Sequence, residues 1–229
     1  ALDAVEISVA DRRCLDAGAS TGGFTEVLLD RKAREVVGVD VGYGQLAWAL
    51  RNDPRVTVME RTNVRDLTAD AIGGSVDLVV ADLSFISLAT VLPALTACAS
   101  RSADIVPMVK PQFEVGKDRV GAGGVVSAPA LRAEAVLSVA RRAAQLNWLT
   151  VAVTASPLPG PAGNVEYFLR LRADAHAQYE IRVYAELMCK LVADWVPIAY
   201  AAFADYRMGG VSLSAKGIEV LRRRLAGEA

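Results

Sequence analysis

Acids at the ends of successive apolar runs, with a glycine-rich turn after the first, carry the earliest chemical signal in this chain. Leu15-Asp16-Ala17-Gly18-Ala19-Ser20-Thr21-Gly22-Gly23-Phe24-Thr25 reads as a strand-to-helix turn. Gly18, Gly22 and Gly23 permit a tight backbone and close approach of a ligand, but Ser20 stands where a dinucleotide fingerprint has its second glycine. That departs from a pyrophosphate cradle. Asp16, just before the turn, suits a ligand with an ammonium group. Asp40 ends the next apolar run about twenty residues further on, where an acid can accept from both ribose hydroxyls. Asn63 and Asp66, in Thr62-Asn63-Val64-Arg65-Asp66, follow a third run, and Asp66 there could meet an adenine amino group. The set reads as a site for S-adenosyl-L-methionine. The competing readings are a phosphate site or a turn with only a structural duty.

Three further motifs point to group transfer. Asp82, in Val80-Ala81-Asp82-Leu83-Ser84-Phe85, ends a buried run and is assigned to both the cofactor and the reaction. Methyltransferases of base amino groups usually carry Asp/Asn-Pro-Pro-aromatic at this place, and the missing Pro-Pro points away from nitrogen. Lys110, in Val109-Lys110-Pro111-Gln112-Phe113-Glu114, sits at a strand mouth with Pro111 fixing the turn. A lysine partly withdrawn from water beside other cations can lose its proton and act as a base. A phosphate clamp or a solvated loop lysine are its alternatives. Glu166, in Gly163-Asn164-Val165-Glu166-Tyr167-Phe168, begins the last strand, where an exposed strand acid is the plainer reading. Residues 116–124 read as a mobile glycine-rich loop with Lys117 and Arg119 as phosphate contacts.

The elements that must position these residues alternate. Strands are expected at Arg13–Ala17, Glu35–Val39, Val56–Met59, Val76–Ala81, Ile105–Val109, Leu149–Thr154 and Val165–Leu171. Helices are expected at Thr21–Arg31, Gln45–Arg51, Leu88–Ala99 and Ala130–Leu146, the last with Leu131, Ala135, Val139 and Ala143 at near-helical spacing after Pro129. Alternation of this kind means an α/β fold: a doubly wound, mostly parallel sheet with ligands at the carboxyl ends of its strands. The expected division is a first domain over 1–172 and a helical tail over 173–229. In the tail Tyr184, Leu187, Met188, Leu191 and Trp195 form one apolar stripe, and further helices are expected at Ile198–Tyr206 and Ser214–Ala226. The Arg222-Arg223-Arg224 run reads as a solvated helix face.

Composition narrows the classes. The chain has 229 residues, 53% of them apolar and 22% charged, which excludes disorder and low complexity. Lys+Arg 25 against Asp+Glu 26 gives a net charge of −1, so any nucleic-acid contact must be local. No signal peptide and no membrane span are expected. Cys14, Cys98 and Cys189 lie apart in apolar contexts, which fits buried thiols in a reducing, cytoplasmic setting. With His176 the only histidine, neither a zinc cluster nor a Ser–His–Asp triad is expected.

At these motifs the chain resembles the TlyA (haemolysin A) family of ribosomal RNA methyltransferases, whose fold is similar to that of FtsJ-type 2′-O-methyltransferases. The blocks at Leu15–Thr25, Val39–Leu46, Ala81–Ser87, Lys110–Glu114 and Gly163–Phe168 match in order over about residues 1–172. The resemblance implies a Rossmann-like class I methyltransferase fold. It also implies methyl transfer from S-adenosylmethionine to a ribose 2′-hydroxyl of ribosomal RNA through a Lys–Asp–Lys–Glu tetrad. Asp82, Lys110 and Glu166 take three of the places. The first lysine has no counterpart, since no lysine stands before Lys32, and the family's S4-type RNA-binding domain is not in this sequence. Both differences predict impaired turnover.

The tail resembles the carboxyl-terminal helices of flavin-dependent thymidylate synthase, through Leu169-Arg-Leu-Arg-Ala-Asp-Ala-His and Asp194-Trp-Val-Pro. That resemblance implies a nucleotide contact at Arg172 and a flavin contact at His176. The family's Arg-His-Arg element cannot exist with His176 as sole histidine, so the tail is read as a structural graft. The expectation is thus a ribosomal RNA 2′-O-methyltransferase domain acting on ribosomal RNA or subunits, without membrane or metal and with its oligomeric state open. Its rivals are a non-catalytic S-adenosylmethionine-binding module and a thymidylate-synthase-related fragment.

Overall fold

A computed structural model of the chain describes residues 2–173, and the expectations for the tail, including His176, Cys189 and Arg222–Arg224, lie outside the described residues. Seven strands form one sheet in the order β3-β2-β1-β4-β5-β7-β6. They are β1 (Arg13–Ala17), β2 (Glu35–Val39), β3 (Val56–Met59), β4 (Val76–Ala81), β5 (Ala99–Val109), β6 (Leu149–Ala155) and β7 (Tyr167–Arg172). β3, β2, β1, β4 and β5 pair in parallel, and β7 runs antiparallel between β5 and β6. The helices are α1 (Gly23–Asp30), α2 (Trp48–Arg51), α3 (Leu88–Cys98), α4 (Pro111–Glu114) and α5 (Pro129–Gln145). This is the expected doubly wound sheet.

The sheet is apolar on both faces because successive side chains point to opposite sides. Leu15, Val37, Val79, Ile105 and Leu169 pack into the cluster that holds α3 and α5. Cys14, Val36, Leu78, Val106 and Phe168 pack into the other, with Leu28 and Leu29 of α1 and the amino-terminal Leu2, Val5, Ile7 and Val9. Burial pushes the Cys14 thiol up to about 12, which keeps it an inert core residue.

Several expected boundaries move. α1 starts two residues later than Thr21, because Ser20 and Gly22 take φ of 47° and 106° and cannot continue a helix. α2 shrinks to one turn after Gly44 at φ 69°, with Ala47 extended at its start. β5 begins at Ala99 instead of Ile105, pairing Ala99 with Val76 across an irregularity in register. Residues 116–124 are not a plain loop: Lys117–Arg119 and Ala122–Gly124 form short 3-10 turns. Buried Asn164 holds that stretch, accepting from Val126 N at 2.9 Å and donating to Gly124 O at 2.9 Å. The Arg119 guanidinium, expected on phosphate, instead bonds Glu134 at 2.8 Å and the Val115 carbonyl at 2.7 Å.

The amino-terminal edge of the sheet is closed by charge. Asp104, 1% exposed, binds Arg12 at 2.7 Å, Arg170 at 2.7 Å and Arg172 at 4.0 Å. Arg170 also donates to Val5 O at 3.0 Å, fastening the amino-terminal segment to β7. Removing the acid strands partly buried guanidinium groups, so Asp104→Ala is expected to lose about 2–4 kcal/mol of stability. A fall in the urea midpoint at unchanged slope checks this, and a loss below about 1 kcal/mol would show that the arginines find water instead.

Candidate active site

The carboxyl ends of β1, β2, β4 and β5 lie side by side, and the residues singled out from the sequence gather there. Asp16 pairs in register with Gly38 of β2 and Val80 of β4, and its side chain is fully buried on the α1 face. Thr25 Oγ1 donates to Asp16 Oδ2 at 2.7 Å, while Asp16 Oδ1 is buried without a hydrogen-bond partner. Burial, opposed by the Thr25 bonds, pushes the Asp16 carboxyl up to about 6, with Asp82 and Asp40 adding like charge. Thr25 closes the glycine-turn motif, and nothing in the sequence pattern gives it a role. As the first buried residue of α1, it is the partner that fixes Asp16.

The turn then wraps the end of β2. Gly18 N and Ala19 N both donate to Val39 O, at 2.8 and 3.2 Å, and Gly18 takes φ 87°. A Cβ on Gly18 would run into the Asp82 carbonyl. Glycine is therefore required twice over, by conformation and by space. Ser20 N donates to Asp40 Oδ2 at 2.9 Å and Gly42 N to Asp40 Oδ1 at 2.7 Å, so the carboxylate is held with lone pairs still free for hydroxyl donors. Ser20, Asp40, Gly42, Leu46, Met59 and Glu60 line a recess beside it. Thr21 and Gly23 are exposed, and Gly23 has open space where a Cβ would stand. Phe24 turns its ring edge-on to Phe168 at 6.0 Å, in the core beneath the turn. Asn63 caps a 3-10 turn over Val64–Asp66 by accepting from Arg65 N, and Asp66 is exposed at its end, outside the lining of the recess.

The acid–base residues form a second group. Lys110 Nζ lies 2.6 Å from Asp82 Oδ1 and 3.1 Å from Ser84 Oγ, with the lysine side chain only 12% exposed. A solvated loop lysine does not describe this placement. Glu166 is 6% exposed, which sets aside the exposed strand acid, and Gln112 Nε2 donates to its Oε1 at 3.2 Å. Gly160 packs so closely that a Cβ there would stand 2.8 Å from Glu166 Oε1. Phe85, at φ 64° and 91% exposed, stands beside Phe113 with ring centroids 5.3 Å apart. Asp16, Asp40 and Asp82 thus share one edge with Lys110 and Glu166. Arg172 lies at the other edge, paired with Asp104 of β5.

The donor set fits S-adenosylmethionine: a buried acid oxygen lacks a donor, a glycine turn leaves room for close approach, and a second acid presents acceptors to hydroxyls. Among the described residues no group of three or more His, Cys, Asp or Glu side chains could hold a metal ion.

Comparison with known proteins gives two matches of unequal length. The family model for FtsJ-like methyltransferases matches residues 1–173, and that for thymidylate synthase complementing proteins matches residues 162–198. A 16S/23S rRNA (cytidine-2′-O)-methyltransferase, TlyA, of Mycobacterium tuberculosis is 77% identical over 172 residues, which is 75% of this chain and 64% of that protein. The chain therefore spans under two thirds of that relative's length. A flavin-dependent thymidylate synthase of Ruegeria pomeroyi is 74% identical over 66 residues, 29% of this chain and 22% of that enzyme. The crystal structure of a candidate hemolysin from Lactococcus lactis superposes with a TM-score of 0.73 at 38% identity, covering 76% of this chain and 83% of that one.

Asp16 supplies a pH test of the cofactor site. Its folded-state carboxyl titrates near 6 instead of 3.8, so the fold favours the protonated form and loses stability as pH rises through that window. A ligand ammonium beside Oδ1 favours the ionised form. Affinity for S-adenosylhomocysteine is therefore expected to rise about tenfold from pH 5 to pH 7, with Asp16→Asn binding more weakly and with a flat profile. Titration calorimetry across that range checks it, and a wild-type profile as flat as the variant's would remove Asp16 from the site.

Proposed function

This chain belongs to the FtsJ-like methyltransferase family, and from that premise we propose that it transfers a methyl group from S-adenosylmethionine to a ribose 2′-hydroxyl of ribosomal RNA. The observation that carries the reading is the Lys110–Asp82 pair at 2.6 Å, set at the carboxyl edge next to buried Glu166. The name of the Mycobacterium tuberculosis relative gives the same chemistry for that protein.

Asp16, Gly18, residues 20–24, Asp40, Asn63, Asp66 and Asp82 would hold the cofactor, which when bound supplies a methyl group on a sulfonium that an oxygen nucleophile can take. A ribose hydroxyl is a poor nucleophile, so the site must remove its proton as the new bond forms. Lys110 is the acceptor. Asp82 fixes the direction of its Nζ, and Ser84 adds a second contact. Glu166 accepts from the ribose of the target nucleotide. Most of the acceleration comes from holding the reacting atoms in line in a site shielded from water.

The segment that matches thymidylate synthases is structural in this reading. Its Arg172 is paired with Asp104 at the edge opposite Lys110, which suits a sheet residue better than a nucleotide ligand.

The decisive experiment incubates the chain with S-adenosylmethionine and ribosomal subunits and maps ribose 2′-O-methylation. Wild type is expected to label ribosomal RNA. Lys110→Ala is expected to lose at least about a hundredfold in rate while keeping cofactor affinity within about twofold, as befits loss of a proton acceptor. Methylation surviving in Lys110→Ala would put the base elsewhere, and cofactor binding without any methylation by wild type would favour the binding-module reading.

A further inference from the structure

The turn that follows β5 carries two polar residues that the proposed chemistry leaves unused. Gln112 donates from Nε2 to Glu166 Oε1 at 3.2 Å. A carboxylate only accepts, so the amide nitrogen is the atom that must face it. Glu114 accepts twice from the start of α3: from Ser87 Oγ at 2.7 Å and from Leu88 N at 2.8 Å. Ser87 in turn accepts from Ala89 N at 3.1 Å. Burial raises the Glu114 carboxyl above its ordinary value, against the pull of those two bonds.

These contacts share a geometry. Lys110 heads the turn and touches Asp82 and Ser84 at one end of the loop between β4 and α3. Glu114, four residues later, grips Ser87 and Leu88 at its other end. Gln112, between them, reaches across to Glu166, just ahead of β7. The loop so held carries Phe85 in a left-handed conformation, its ring 91% exposed and set beside Phe113 of the turn after β5. Asp82 and Glu166 stand 84 positions apart in sequence, and no direct bond joins them among the described contacts. One turn sets both.

We propose that Gln112 and Glu114 are positioning residues of the methyl-transfer site: Gln112 fixes the direction of the Glu166 carboxylate, and Glu114 locks the loop that carries Asp82. The proposal rests on the reading of Asp82, Lys110 and Glu166 as the reaction centre. Neither residue touches the cofactor recess, so both act on the nucleotide side of the site.

The test uses the full chain with Gln112→Ala, Glu114→Ala and Glu114→Gln, beside melting temperature and S-adenosylmethionine affinity. Gln112→Ala is expected to melt and bind cofactor as wild type does, yet to transfer methyl to ribosomal RNA about tenfold more slowly at saturating RNA. Glu114→Ala is expected to lose up to about a hundredfold, and Glu114→Gln, which keeps an acceptor for Leu88 N, to regain most of it. Wild-type rates in both alanine variants would overturn the proposal, as would losses that only track melting. If wild type transfers no methyl, the functional reading fails separately, and two signals then decide the positioning role. The Gln112 side-chain amide resonances should move in Glu166→Ala, which removes their acceptor, and exchange of the Leu88 amide should quicken in Glu114→Ala but not in Glu114→Gln. If both signals are unaltered by those substitutions, the proposal is wrong.

Discussion

The carbonyl of Ala17 accepts the Asp82 amide at 3.0 Å, and this bond sets the end of β1 against the end of β4. The site depends on that closure. It brings the Gly18 backbone against the Asp82 carbonyl so tightly that no side chain fits between them. β2 follows in register through Ala17 opposite Val39, and β5 through Ala81 opposite Pro107. Asp40 and Lys110, each one residue beyond its strand, then fall on the same edge as Asp82. Helices cover both faces of a parallel sheet, so its carboxyl edge is where strand-end side chains meet a ligand.

Charge is distributed differently at the two edges. At the amino edge, Asp104 is charge-paired on both oxygens by guanidinium groups and the backbone carbonyl of Val5 takes a further bond from Arg170. At the carboxyl edge, Asp16 retains a buried oxygen with no donor, and Asp40 keeps acceptor capacity after its two backbone bonds. Both edges hold acids of similar burial, yet only one is complete without a ligand. A buried acceptor left without a donor beside a recess is what a binding site costs in stability.

Much of this was legible before the fold was known, and the reasons differ by element. Arg13–Ala17, Glu35–Val39, Val56–Met59 and Val76–Ala81 are strands with the expected limits, because their apolar runs end at acids, glycine or a polar turn. The start of β5 was hidden: Ser100-Arg101-Ser102 looks like loop, and only pairing with β4 makes it strand. The start of α1 was hidden by backbone conformation, since Ser20 and Thr21 carry no mark of the positive φ that follows. The acids and Lys110 could be singled out because each closes an element. Gln112, Glu114 and Asn164 could not, because their duties are side-chain contacts between segments far apart in sequence, and Thr25 could not, because its bond to Asp16 nine residues earlier forms only once α1 packs on β1. The Asp104 cluster is the extreme case, joining Arg12 and Arg170 across separations of 92 and 66 residues.

The two family matches overlap at residues 162–173, and the sheet decides which fold this stretch serves here. β7 lies between β5 and β6, so it is an interior strand with ladder bonds on both sides. Its alternation fits that place: Leu169 and Leu171 are fully buried against α3 and α5, while Phe168 and Arg170 point to the opposite face, where Arg170 meets Asp104. Without β7 the bare edges of β5 and β6 would be left open to other chains, and Glu166, which enters the site just ahead of Tyr167, would lose its support. Every side chain from Tyr167 to Leu171 is thereby accounted for by the methyltransferase sheet, and the sequence shared with thymidylate synthases at Leu169-Arg-Leu-Arg is, in this chain, the last strand of that sheet.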